Sequence, residues 1–175
     1  MQRQQQLVMF ETASDETPLV QPHRCVRINV RGLPRPQGSI KAMPRRTKTG
    51  EFAGIATTYA ATTWQWRGQV QQAVMDAHIT PPFDGAVRLR LGFDMPRPST
   101  QLLKGRKTLG RVSPSAPPWP VVMPDLDKLI RCVSDAITDA GLWLDDAQVV
   151  AIEAAKRYVT TPPGVLITVS TMEAT

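Results

Sequence analysis

The sequence predicts an α/β fold of the α+β kind, a small β-sheet packed against two main helices, on three observations. Short stretches around residues 26–30, 87–93, 148–159 and 165–171 alternate apolar and polar residues, the period of a half-buried strand. Two longer stretches, about 59–78 and 126–140, repeat apolar residues at intervals of three and four, the period of an amphipathic helix. The 16 prolines cluster between these stretches and mark the loops. At 175 residues the chain has the size of one domain with one core. We divide it into a disordered N-terminal tail, residues 1–23, and a domain, residues 24–175.

Each element follows from its own residues. The tail, with its glutamine run Gln4 to Gln6, shows no sustained period. Val26, Ile28 and Val30 alternate with Arg27, Asn29 and Arg31, a strand that Gly32 and Pro34 end. The next stretch carries Arg35, Lys41, Arg45, Arg46 and Lys48 among turn formers, so a long loop or irregular hairpin is expected. Trp64, Arg67, Val70, Val74 and Ala77 space a helix that Pro81 and Pro82 close. Val87, Leu89, Leu91 and Phe93 then alternate with Arg88, Arg90, Gly92 and Asp94 as a second strand. A proline-rich basic loop follows with Arg97, Lys104, Arg106, Lys107 and Arg111. Leu126, Leu129, Ile130, Val133, Ala136, Ile137 and Ala140 keep helical spacing over four turns, and Gly141 stands where a helix-ending glycine is expected. Residues 148–159 and 165–171, joined by a turn at Thr161 to Gly164, read as an antiparallel pair.

Charge is divided unevenly along the chain. Residues 1–23 carry a net −2, residues 24–121 a net +12 and residues 122–175 a net −4, which gives +6 overall. A cationic body suits a polyanionic partner, and a concentrated acidic segment suits bound cations. Cys25 and Cys132 lie far apart with no CxxC pairing, so neither a disulfide framework nor a zinc site is expected. No apolar run approaches the roughly 18–20 residues of a membrane span, and the N-terminus lacks the layout of a signal peptide. A cytoplasmic location is the expectation.

The segment MPDLDKLIRCVSDAITDAGLWLDDAQVV holds the candidate chemistry. Asp125 and Asp127 stand at a helix start, and Asp145 and Asp146 just before a strand. Magnesium takes carboxylate oxygens at roughly 2.0–2.1 Å with water in the remaining positions, and these acids are its candidate ligands. A 15-residue helix is some 22 Å long, so the two acidic pairs meet only if the chain doubles back. A plainer account stands beside this one: aspartate at a helix start caps free amides, and paired aspartates before a strand are ordinary turn chemistry. Asp127, Arg131 and Asp135 are also spaced as a salt-bridge ladder, the account we favour for Asp135.

PDLDKLIR, then DAI, then GLWLDDAQVV and the step Lys156 to Tyr158 resemble the signature of RusA-type Holliday junction resolvases, especially phage and prophage members. The resemblance covers about residues 26–171 and is strongest over 124–158. It implies a RusA-like homodimer with a mixed sheet, Mg2+ or Mn2+ as cofactor, and hydrolysis of phosphodiesters near the branch point of four-way junctions. It also implies the chain reversal. Carried over by position, Asp125, Asp127 and Asp146 match catalytic, metal-holding aspartates, and Asp145 is a fourth metal candidate beside them. Arg131 stands where the family's best-known member has a catalytic lysine. Arginine stays charged, so its expected role is to stabilise the scissile phosphate and not to transfer a proton. Lys128 replaces an asparagine of some members and adds a phosphate contact.

DNA arms are then expected to be held through phosphates by Arg35, Lys41, Arg45, Arg46 and Lys48 in one loop, by Arg97, Lys104, Arg106 and Lys107 in the other, and by Lys128. Among the tryptophans, Trp64 and Trp143 are expected in the core, and Trp119 is the candidate for stacking on bases. His23 and His78 have no partner at ligand spacing. No GxxxxGK[ST] loop is present, so no nucleotide cofactor is expected. Two other readings remain: a less selective flap or fork endonuclease, and a structure-specific DNA-binding protein without catalysis.

Overall fold

The computed structural model describes residues 24–38, 42–57, 61–105 and 110–172, with the side chains of 42–46 and 53–57 excepted. The N-terminal tail, Lys41, Arg106 and Lys107 therefore lie outside the described residues.

A mixed four-stranded sheet is the scaffold. Its strands are β1 (Cys25–Arg31), β4 (Val87–Pro96), β5 (Val149–Val159) and β6 (Gly164–Thr171), in the spatial order β1-β6-β4-β5. β6 runs antiparallel to both of its neighbours, whereas β4 and β5 are parallel. A parallel pair needs a crossover, usually helical; here the link contains α2 (Leu126–Asp139). The expected pairing of the last two strands is thus corrected: β5 and β6 do run in opposite directions, but β4 lies between them. β4 is suited to the interior position because Val87, Leu89, Leu91, Phe93 and Met95 are all buried on one face.

Both helices cover that face. From α1 (Ala61–Asp76) come Trp66, Val70 and Val74, and from α2 come Leu129, Cys132, Val133, Ala136 and Ile137. They form one core with Ile28 and Val30 of β1 and Val165, Ile167 and Val169 of β6. The opposite face, bearing Arg27, Asn29, Arg31 and Arg90, is exposed. Trp143 is in the core as expected, at 1% exposure, but Trp64 is 54% exposed and Trp66 takes its place at 1%. Trp66, Val70 and Val74 are spaced i, i+4, i+8, a better helical stripe than one begun at Trp64. Arg67 stacks on the displaced Trp64 ring, 5.8 Å from its centroid.

The irregular hairpin is formed by β2 (Ala42–Arg46) and β3 (Phe52–Thr57), with a register shift at Arg45/Arg46. α2 ends as the sequence predicts. Gly141 adopts φ +73°, and the N–H groups of Gly141 and Leu142 donate to the carbonyls of Thr138 and Ile137 at 3.0 and 3.3 Å. Two orphan carbonyls of the last turn are thereby satisfied.

Candidate functional site

Asp125 occupies the N-cap of α2 with extended backbone, φ −68° and ψ 140°, yet its side chain makes no capping bond. Its carboxylate is exposed and has no hydrogen bond or ion pair among the described residues. The capping account therefore does not hold for Asp125. Asp127, in the first turn, is exposed and accepts a hydrogen bond from Lys128 Nζ at 2.7 Å. That bond holds the Asp127 carboxyl below the usual carboxylate range. Arg131 lies one turn further along, exposed and unpaired among the described residues. The start of α2 thus presents carboxylates and cations side by side, beside the free amides of a helix N-terminus.

The other acidic pair stands beyond the far end of α2. Asp145 caps the short turn Asp146–Gln148, accepting from the N–H of Ala147 at 2.8 Å. Gln148 completes the cap by accepting from the N–H groups of Leu144 and Asp145, and its amide donates to the carbonyls of Phe83 and Gly85. Asp145 is therefore a structural cap, while the exposed Asp146 carboxylate has no partner among the described residues.

The chain does reverse after Asp146, but it is Lys156 of β5, not Asp146, that reaches the start of α2. Lys156 Nζ donates to the carbonyls of Val122 and Pro124, each at 2.8 Å. The turn leading into Asp125 is pinned to the sheet in this way. Asp146 stays with Asp135, Asp139 and Arg67 in a depression at the opposite end of the helix. Among the described residues, no three of the His, Cys, Asp and Glu side chains stand close enough together to hold a metal ion.

The remaining predicted residues divide by environment. Asp135 is not laddered to Arg131. Arg67 of α1 pairs with Asp135 at 3.4 Å and with Asp139, and also donates to Gln37 Oε1 at 3.1 Å, while the buried Gln37 donates to Asp135. This network ties the helices and the β1–β2 connection together. Arg97 is turned inward: it donates to Gln101 Oε1 and the Pro117 carbonyl at 3.0 and 2.9 Å and stacks over Tyr158. Its first task is to brace the proline-rich loop. Lys48 and Lys104 are exposed and Arg35 is half-buried; Arg45 and Arg46 lie on β2. Trp119 is 62% exposed.

Three residues that brace the candidate site escape a reading of spacing alone. Lys156 carries a signal, since it alternates in phase with Ala154 and Tyr158, residues of β5 that pack against the core. Gln148 carries another as the fourth residue of the DDAQ capping box. Arg67 has none, because its partners are 68 and 72 residues away.

The profile of endodeoxyribonuclease RusA matches residues 35–170. The chain belongs to the RusA family. Relatives include the crossover junction endodeoxyribonucleases RusA of Escherichia coli strain K12, Shigella sonnei strain Ss046 and Enterobacteria phage 82. Each is 46% identical over 48 residues, which is 27% of this chain and 40% of the relative. The match therefore spans well under half the length of these RusA relatives.

Proposed function

We propose that this chain is a divalent-metal-dependent endodeoxyribonuclease that resolves Holliday junctions and related branched DNA by paired phosphodiester hydrolysis. The observation that carries the reading is the uncommitted Asp125 carboxylate, next to Asp127, at a helix start braced by Lys156. Family membership supplies the class of reaction.

The donor set suits Mg2+ or Mn2+. It consists of carboxylate oxygens, whereas burial pushes the Cys132 thiol up to about 11 and removes it as a ligand. Magnesium commonly takes one or two carboxylates, water and substrate phosphate, so Asp125 and Asp127 fit it as a pair. The 14 residues of α2 span about 21 Å; Asp146 can thus join that pair only from a second chain. When bound, the ion supplies Lewis-acid activation of water and neutralises charge at the phosphate.

The chain's own residues do the rest. Lys128 sets the orientation and charge of Asp127, and Arg131 clamps a phosphate oxygen without exchanging a proton. Arg35, Lys48, Lys104 and the cations of the β2–β3 hairpin grip the DNA arms through phosphates. Two symmetric cuts call for a homodimer. We place the protein in the cytoplasm of a bacterial or phage-infected cell. Among the described residues, no helix is long and apolar enough to cross a membrane.

The test compares nicking of a synthetic four-way junction, a fork and a linear duplex, with magnesium and with a chelator. Faster cutting of the junction, abolished by the chelator, is expected. Equal rates on all three substrates remove the resolvase assignment, and cutting in chelator removes the metal.

A further inference from the structure

Among the described residues, two polar side chains are buried, Gln37 at 2% and Thr63 at 8% exposure, and both fasten the same short strap between β1 and β2. Thr63 Oγ1 of α1 donates to the Pro36 carbonyl at 3.3 Å. The Gln37 N–H donates to the carbonyl of Lys128, in the first turn of α2, at 3.0 Å. The Gln37 side chain then bridges the two helices: its Oε1 accepts from Arg67 Nη1 at 3.1 Å, and its Nε2 donates to Asp135. Burying a polar group costs free energy unless its hydrogen bonds are made, so this amide is stable here only as a bridge. A guanidinium can only donate and a carboxylate can only accept, and an amide side chain answers both at once.

We infer that Gln37 is a positioning residue for phosphodiester cleavage: it fixes the distance between the phosphate held by Arg35 and the metal-holding turn at Asp125 and Asp127, and so selects which bond is cut. Arg35 stands two residues before Gln37, half-buried and unpaired among the described residues. Two residues span at most about 7 Å of chain, so the backbone of Arg35 is confined close to the turn of α2 that Gln37 touches. Lys128, whose carbonyl takes the Gln37 N–H, is also the residue whose ammonium is bonded to Asp127. The phosphate grip and the acidic turn are thus joined through one pair of residues. Without the amide, Arg67 still holds Asp139 through Nε at 2.9 Å, so the helices stay paired while the strap loses its side-chain anchor. A misplacement of about 1 Å can cost about 100-fold in rate.

The inference rests on the nuclease reading, and its test separates the two. Gln37→Met keeps the volume of the side chain and removes both of its hydrogen bonds. The variant is expected to fold, to bind a synthetic four-way junction as the wild type does, and to cut it at least about 10-fold more slowly, with nicks spread over neighbouring phosphodiesters on a sequencing gel. Slower cutting confined to the wild-type position overturns the inference, because lost stability lowers the amount of active enzyme without moving the cut. Cutting at the wild-type rate and position overturns it too. Gln37→Glu supplies a second reading. The charged groups facing position 37 are Asp135 from α2 and Arg67 from α1, with Asp139 beyond Arg67. A protonated glutamic acid can donate to Asp135 and accept from Arg67 as the amide does, whereas its carboxylate repels Asp135. Precision relative to the wild type is expected to return as pH falls, and precision independent of pH overturns the inference. The anchor itself is read without DNA or metal. The residue 37 N–H should exchange with solvent about 10-fold faster in Gln37→Met, with the amides of β4 and β6 unchanged. Equal protection at residue 37 in both proteins overturns the inference. A wild-type protein that cuts no junction, with that exchange difference present, sinks the nuclease reading and leaves the anchor standing.

Discussion

The Asp127 carboxylate sits in water with Lys128 Nζ 2.7 Å away, and that neighbour favours its charged form. Asp127→Asn is expected to lower junction cleavage by about 100-fold or more, since even outer contacts of a metal site are worth about 10–100-fold, while junction binding in a gel-shift assay is retained. The lowered pKa also has a pH consequence. Asp127 stays ionised until the pH falls below the ordinary carboxylate range, so its acid limb in the cleavage profile lies low, and Lys128→Ala should move that limb to higher pH. Cys132 shows the opposite shift. Burial lifts its thiol to about 11, so the folded protein keeps the proton where the unfolded chain has begun to lose it. The stability this contributes is full below the unfolded thiol's pKa and is lost as pH rises towards about 11. Denaturant melts at alkaline pH should show a decline that Cys132→Ala lessens, and iodoacetamide at neutral pH should label the exposed Cys25 and spare Cys132.

Among the elements, α2 and β5 set the site together. Lys156→Met removes two charge-assisted hydrogen bonds to the Val122 and Pro124 carbonyls. A loss of about 1–3 kcal/mol in stability is expected, with a fall in kcat exceeding that of a matched surface variant, measured by melts and single-turnover cleavage. In α1 the decisive side chain is Trp66, at 1% exposure. Trp66→Ala should cost about 3–5 kcal/mol, against little for Trp64→Ala. Both helices were legible from period, and so was the end of α2 at Gly141. Which of two tryptophans faced inward was also available from the spacing to Val70 and Val74. The partner of Asp135 was not: the i+4 rule points to Arg131, and the fold supplies Arg67 from another helix.

For the whole molecule, the net +12 of residues 24–121 remains the main argument for DNA as partner. Arg45→Ala with Arg46→Ala should weaken junction binding and flatten its dependence on salt, by roughly 0.9 in the log–log slope for each phosphate no longer neutralised. An unchanged slope takes the β2–β3 hairpin out of the interface. The sheet order matters at the same scale. With β4 between β6 and β5, β5 forms one edge of the sheet among the described residues, and the long α2 crossover holds the two acidic pairs apart within one chain.

The sequence by itself determined the elements, the cap that ends α2, the acids flanking that helix and the family, because each depends on residues near one another along the chain. Tertiary structure alone decided that β4 separates the last two strands, that Lys156 and not Asp146 returns to the helix start, and that Arg97 is spent inside its own loop. Those outcomes depend on which distant segments pair, and local periodicity has the same value for every such pairing.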